Sequence, residues 1–160
     1  MVFFLSTSAL TCLGQDQVID LQDLSVSIPK TWERVPDDKT ILTARGPSRG
    51  ANDAFSENIR IEVRELPRPA TPEQILAAQT STKALGKYRL LGQGKVDEAK
   101  TPVVWYAITH TEAAKNDRVI IDYVAVKGQK AFVMHCMIEA DQWKAEQKVF
   151  EKIAKSLTFK

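Results

Sequence analysis

The chain's two histidines, His110 and His135, flank a carboxylate, Asp122, in a stretch rich in β-branched and aromatic residues. Gly128-Gln129 is a two-residue Gly-x turn, whose twist suits an antiparallel hairpin. A turn there sets Tyr123 against Met134, Ile121 against Cys136 and Ala125 against Phe132, an apolar face. The opposite face then pairs Asp122 with His135 and Arg118 with Glu139. A preceding turn centred near Lys115 brings His110 to that same face, so a His110, Asp122, His135 group is expected. Two histidines and a carboxylate on neighbouring strands can bind a metal facially, or an Asp-oriented imidazole can serve as a base. A cross-strand Asp-His ion pair with a spare histidine is the alternative, and the reading preferred here.

The other reactive types point to packing. Cys136 shares its expected face with Phe132, Met134 and Ile138, as a core cysteine does. Gly92-Gln93-Gly94-Lys95 lacks the glycine spacing and the Ser/Thr of a phosphate-binding loop and reads as a β-bulge or loose turn. Trp105 and Trp143 read as core, although Trp32, Trp105 and Trp143 also have rings able to stack on a ligand. The segment from Arg45 through Arg49 to Asp53 is a long, locally basic loop, and such loops often carry binding surfaces. Arg45 and Arg49 are therefore candidate binding residues. No Gly-x-Ser-x-Gly, His-Glu-x-x-His, paired-cysteine or dinucleotide motif occurs, and no cofactor is implied.

The elements that position these residues follow from periodicity. Residues 24–28 and 41–45 read as short strands ended by Pro29 and by Gly46-Pro47. Ile59, Ile61 and Val63 alternate with Arg60, Glu62 and Arg64, the pattern of a strand with one face buried and one wet. Thr71-Pro72-Glu73-Gln74 supplies an N-cap, a first-turn proline and a capping-box Gln, predicting a helix with Ile75, Ala78, Thr82 and Leu85 inward, ended by Gly86. Three long strands are predicted over 103–111, 118–126 and 130–139, joined tightly enough to be antiparallel. A last helix is expected from Asp141 as N-cap, with Trp143, Phe150, Ile153, Ala154 and Leu157 on one side. Strands, helix, strands, helix make an α+β fold.

The chain has 160 residues, 44% hydrophobic and 26% charged, which suits one domain with a sizeable core. A net charge of +2 gives no field to gather nucleic acid. Residues 1–14 are uncharged and apolar, with polarity beginning at Gln15 and Asp16. They read as an export leader without a positive n-region, cleaved before Gln15, with residues 15–160 forming a single domain. Lipidation at Cys12 is the alternative, although Ala9-Leu10-Thr11 is a poor lipobox. With Cys12 removed, Cys136 has no partner for a disulfide.

Ser27-Ile28-Pro29-Lys30-Thr31-Trp32, the strand from Phe55 through Asn58 to Val63, and Thr71-Pro72-Glu73-Gln74 resemble the PsbP-like group that includes DcrB-type envelope proteins and Mog-type Ran-binding proteins. The resemblance runs from about Val18 to Lys160. It implies an α/β/α sandwich around a central antiparallel sheet, in proteins mostly exported or lipid-anchored that act by binding, with no shared catalytic residues. The function expected is a non-catalytic exported envelope accessory protein, monomeric and acting through protein contacts. Its alternatives are a metal- or histidine-dependent hydrolase on the His110, Asp122, His135 face, and an adaptor for secreted cargo.

Overall fold

The computed structural model describes residues 16–48, 56–110 and 118–160. The leader, Cys12 and Arg49 lie outside the described residues. Among those described, no helix is long and apolar enough to cross a membrane.

Seven antiparallel strands form the main sheet, in the order β3 (Glu33–Arg34), β4 (Leu42–Arg45), β5 (Asn58–Glu65), β9 (Lys130–Glu139), β8 (Arg118–Lys127), β7 (Val103–His110), β6 (Tyr88–Lys95). The hairpin register is the one expected: Tyr123 faces Met134, Ile121 faces Cys136 and Ala125 faces Phe132. Gly128 takes φ 62 in the turn, a left-handed conformation that glycine adopts at little cost. β5 pairs with β9 over its whole length, Ile59 against Cys136 and Ile61 against Met134, so the buried side of its alternation joins the same apolar face.

A second sheet was not foreseen. β1 (Asp16–Asp20), β2 (Leu24–Pro29) and β10 (Thr158–Phe159) make a three-stranded sheet, so the strand read at 24–28 pairs outside the main sheet. Its inward residues Leu24, Val26 and Ile28 join Ile121, Tyr123, Met134 and Cys136 in one core. Helix α3 (Trp143–Lys155) closes that core with Phe150, Ile153 and Ala154, each at most 2% exposed. Trp32 meets Phe150 edge to face at 6.1 Å.

The opposite side of the main sheet carries α1 (Pro72–Gln79) and α2 (Thr82–Leu85). The expected capping box is present, Thr71 Oγ1 accepting from the Gln74 amide and Gln74 Oε1 from the Thr71 amide. The single helix expected through Leu85 is broken in two. Thr80 turns its hydroxyl back onto the Leu76 carbonyl, and Ser81 caps a new turn by accepting from the Ala84 amide, the local competition by hydroxyls that disfavours helix interiors. Ile75 and Leu76, rather than the longer stripe, pack on a second apolar cluster of Val104, Tyr106, Val124 and Val133. At the other end Gln142, not Asp141, occupies the N-cap of α3, because a turn closed by the Gln142 amide on the Glu139 carbonyl feeds directly into the helix.

Gly92 and Gly94 lie in strand β6, which bulges between Leu90 and Gly92. A side chain at either position would come within 3.2 and 3.1 Å of the Trp105 ring, so these glycines let a tryptophan lie flat on the strand. That explains their spacing without any phosphate.

Candidate functional site

The candidate site lies on the helix α1 side of the main sheet. Strand pairing places Thr43, Arg60, His135, Asp122, Tyr106 and Gln93 in one row across six strands. On one side of this row lie Val133, Val124 and Val104, beneath α1. On its other side lie Met137, Ile120 and Ile108. The face expected to be wet is thus an apolar layer crossed by one polar row.

At the centre of the row Asp122 is only 5% exposed. Burying a carboxylate is costly unless its oxygens are bonded, and both are. Tyr106 donates its hydroxyl to Oδ2 at 2.5 Å, and His135 Nδ1 donates to Oδ1 at 2.6 Å. The far nitrogen, His135 Nε2, lies 3.0 Å from Arg64 Nη2 and 3.5 Å from Glu62 Oε2, while Arg64 also donates to Glu62 at 3.1 Å. Burial alone would lower the histidine's pKa, but the Asp122 hydrogen bond and the charges of Asp122 and Glu62 outweigh it, so His135 sits above its ordinary value. For Glu62, burial is outweighed by Arg64 and His135, and its pKa falls. Burial and the neighbouring Asp122 both push the Tyr106 phenol up.

The tautomer follows from the partners. In its neutral form His135 holds its proton on Nδ1, toward Asp122, and Nε2 accepts from Arg64. A protonated ring carries a second N–H at Nε2, which turns its favourable contact from Arg64 to Glu62.

Of the expected residues, Asp122 and His135 meet as read from the hairpin. His110 shares their face but stays apart, because the strand register places Tyr106, not His110, opposite Asp122. Four residues further along β7, roughly 13 Å at strand rise, His110 stacks edge-on against Tyr88 at 5.7 Å. The His110, Asp122, His135 group therefore does not form. Arg45 reaches this face, opposite Asn58 and 3.9 Å from Glu33. Cys136 lies fully buried on the other side, where burial pushes its thiol well up. Among the described residues no group of three His, Cys, Asp or Glu side chains is placed to hold a metal.

Tyr106, Glu62 and Arg64 were not singled out from the sequence. Tyr106 is embedded in an apolar run, and Glu62 and Arg64 belong to the wet half of an alternation. Only the long-range pairing of β5 with β9 brings the latter two to His135. A separate shallow cleft of about 460 Å³ lies beside α1, lined by Leu66, Pro67, Pro69, Ile75 and Ala78 with Arg68 as its one charged group.

No family model and no curated protein matches the chain. Solved structures do match in fold. Cyanobacterial PsbP (CyanoP) from Synechocystis sp. PCC 6803 superposes with a TM-score of 0.62 at 12% identity, over 98% of this chain and 99% of its own. LpqN of Mycobacterium tuberculosis, described as involved in cell envelope biogenesis, gives 0.62 at 12% identity over 91% and 90%. The Saccharomyces cerevisiae Ran-binding protein Mog1p gives 0.55 at 12% identity over 89% and 87%. The chain has the α+β sandwich fold of the PsbP and Mog1p structures, as the sequence resemblance implied.

Proposed function

We propose that this protein is a non-catalytic, exported accessory module of the bacterial envelope that acts by binding another protein. The observation that carries this reading is the engagement of the Asp122 and His135 pair at the centre of its polar row. Asp122 is engaged by Tyr106 and His135, and the outward nitrogen of His135 meets Arg64 when the ring is neutral and Glu62 when it is protonated. A general base needs its acceptor nitrogen open to a substrate proton. Here that nitrogen already receives a guanidinium N–H, and Cys136 faces the opposite core. On this reading the pair serves to fix the sheet's surface.

Two neighbours in fold bear on the partner and the compartment. Mog1p is a Ran-binding protein, and LpqN is an envelope-biogenesis protein. The apolar leader of residues 1–14 supports export. Affinity capture from envelope extract tests the binding role, and repeated failure to recover a specific partner overturns it. Mass spectrometry of the mature N-terminus tests export: processing before Gln15 or acylation at Cys12 is expected, and an intact Met1 in a soluble fraction overturns it.

One observation favours a second reading. The Asp122-oriented imidazole of His135 has the first half of a base's geometry. A hydrolase screen with and without chelator separates the two, because turnover that is lost in His135→Gln would replace the binding reading with a catalytic one.

A further inference from the structure

His135 is held at one end of its ring and shared at the other. Nδ1 is fixed 2.6 Å from Asp122 Oδ1, and the second oxygen of that buried carboxylate is taken by Tyr106. Turning the ring away would leave a buried carboxylate oxygen without a donor, so the proton on Nδ1 stays and any change of charge falls on Nε2. That nitrogen is one corner of a triangle. Arg64 Nη2 lies 3.0 Å from it, Glu62 Oε2 lies 3.5 Å from it, and those two meet each other at 3.1 Å. With its side chain 24% exposed, the imidazole is open to protons from solvent.

Around the ring, β5 contributes Glu62, Arg64 and also Arg60, which pairs with His135 itself. β8 contributes Asp122, and β7 the Tyr106 phenol, whose proton is held because burial and Asp122 push its pKa up. On β9 the flanking residues of this face, Val133 and Met137, carry no charge. Helix α1, above Val133, has one charged residue, Glu73, and Lys95 holds it at 2.8 Å. Arg118 and Glu139 lie opposite each other four residues further along β8 and β9. Of all these types, only histidine ordinarily titrates between about pH 5 and 8.

A guanidinium has donors and no acceptor, so Arg64 keeps its 3.0 Å contact only with a ring nitrogen that accepts. Once Nε2 carries a proton, two N–H donors and two positive charges face each other there, while Glu62 Oε2 offers an acceptor beside them. We infer that these residues form a proton-operated latch, in which protonation of His135 at Nε2 hands Glu62 from Arg64 to the ring and releases the Arg64 guanidinium from the sheet surface. Burial lowers the ring's pKa, but Asp122 and Glu62 outweigh it, so the latch opens on mild acidification. It rests on the binding reading above only for its use, which is to change the charge that this face shows a partner as pH falls.

The test is an NMR pH titration of the protein that follows the His135 ring nitrogens together with rotation about the Arg64 Nε–Cζ bond, which a held guanidinium slows. Above the midpoint the ring proton is expected on Nδ1 and the Arg64 rotation to be slow. Below it both nitrogens carry protons and the rotation speeds up severalfold, with the same midpoint. Arg64→Ala is expected to raise the His135 midpoint and Glu62→Gln to lower it, since the first removes a partner of the neutral ring and the second a partner of the charged one. Both side chains are partly exposed, and an unchanged amide spectrum elsewhere verifies that each variant is folded. The inference is overturned if the neutral ring carries its proton on Nε2, if the Arg64 rotation does not change through the His135 midpoint, or if Arg64→Ala lowers that midpoint. Capture from envelope extract above and below the measured midpoint separates this failure from failure of the broader reading. Recovery is expected to differ between the two, and equal recovery with a working latch removes its use. A partner recovered while Arg64 stays fixed leaves the module and removes the latch. A working latch with no partner at either pH leaves the latch and removes the module.

Discussion

Two buried tyrosines on opposite sides of strands β7 and β8 set up a controlled comparison at the scale of single residues. Tyr106 gives its hydroxyl to a carboxylate, whereas the Tyr123 hydroxyl, in the main core, meets no hydrogen-bond partner among the described residues. Hydrogen bonds to charged groups contribute about 1.5–3 kcal/mol, while a buried hydroxyl without a partner is itself a cost. Tyr106→Phe is therefore expected to lower the unfolding free energy by about 2 kcal/mol, and Tyr123→Phe to leave it unchanged or raise it, read from urea midpoints. His135 gives a pH signature. Its folded pKa lies above the ordinary histidine value, so its contribution is fully present below about 6.5 and is lost as pH rises through the folded value. The stability difference between wild type and His135→Gln should shrink as pH rises above about 6.5, and a difference that stayed constant with pH would contradict the Asp122 pairing. Of this network, the Asp122 and His135 contact was legible in the sequence because one short turn fixes it. Tyr106 was not, because the strand register that places it depends on the connection between β7 and β8.

At the scale of elements, local chemistry and long-range contacts divide the structure between them. The capping box at Thr71 was readable because all its atoms lie within four residues. α1 buries no residue fully, so it depends on its cap more than α3 does. Thr71→Ala is expected to cost about 1 kcal/mol and to speed amide exchange across residues 72–79, with little change in β8 and β9. The strand β6 shows the reverse case. Its glycines suggest looseness in sequence, yet Trp105 lies on them in a contact that no local pattern encodes. Gly94→Ala would place a methyl 3.1 Å from Trp105 Nε1 and is expected to destabilise by roughly 1–3 kcal/mol in thermal or urea unfolding. If Gly94→Ala proved stabilising, the strand would be flexible there after all. The break between α1 and α2 was missed for a related reason, since periodicity continues through Thr80 and Ser81 while their hydroxyls redirect the backbone.

Over the whole molecule, the α+β sandwich was legible from the order of strands and helices and from the alternation of β5, whereas β7, β8 and β9 bury apolar residues on both faces. The second sheet was not, because β1 and β10 are short and β2 pairs with both of them rather than with the main sheet. Two apolar layers result. One is closed by α3 and the small sheet, and the other is covered by α1 over only part of its area. The half-covered layer leaves Ile120 and Met137 partly exposed, and it is the face that the proposed binding role would use. Photo-cross-linking in living cells addresses this most directly, with the cross-linking residue placed at Asn58 beside Met137 or at Lys148 on the outer surface of α3. The expected result is a discrete protein adduct from position 58 and none from position 148. Equal adducts from both positions, or an adduct from position 148 alone, would contradict it.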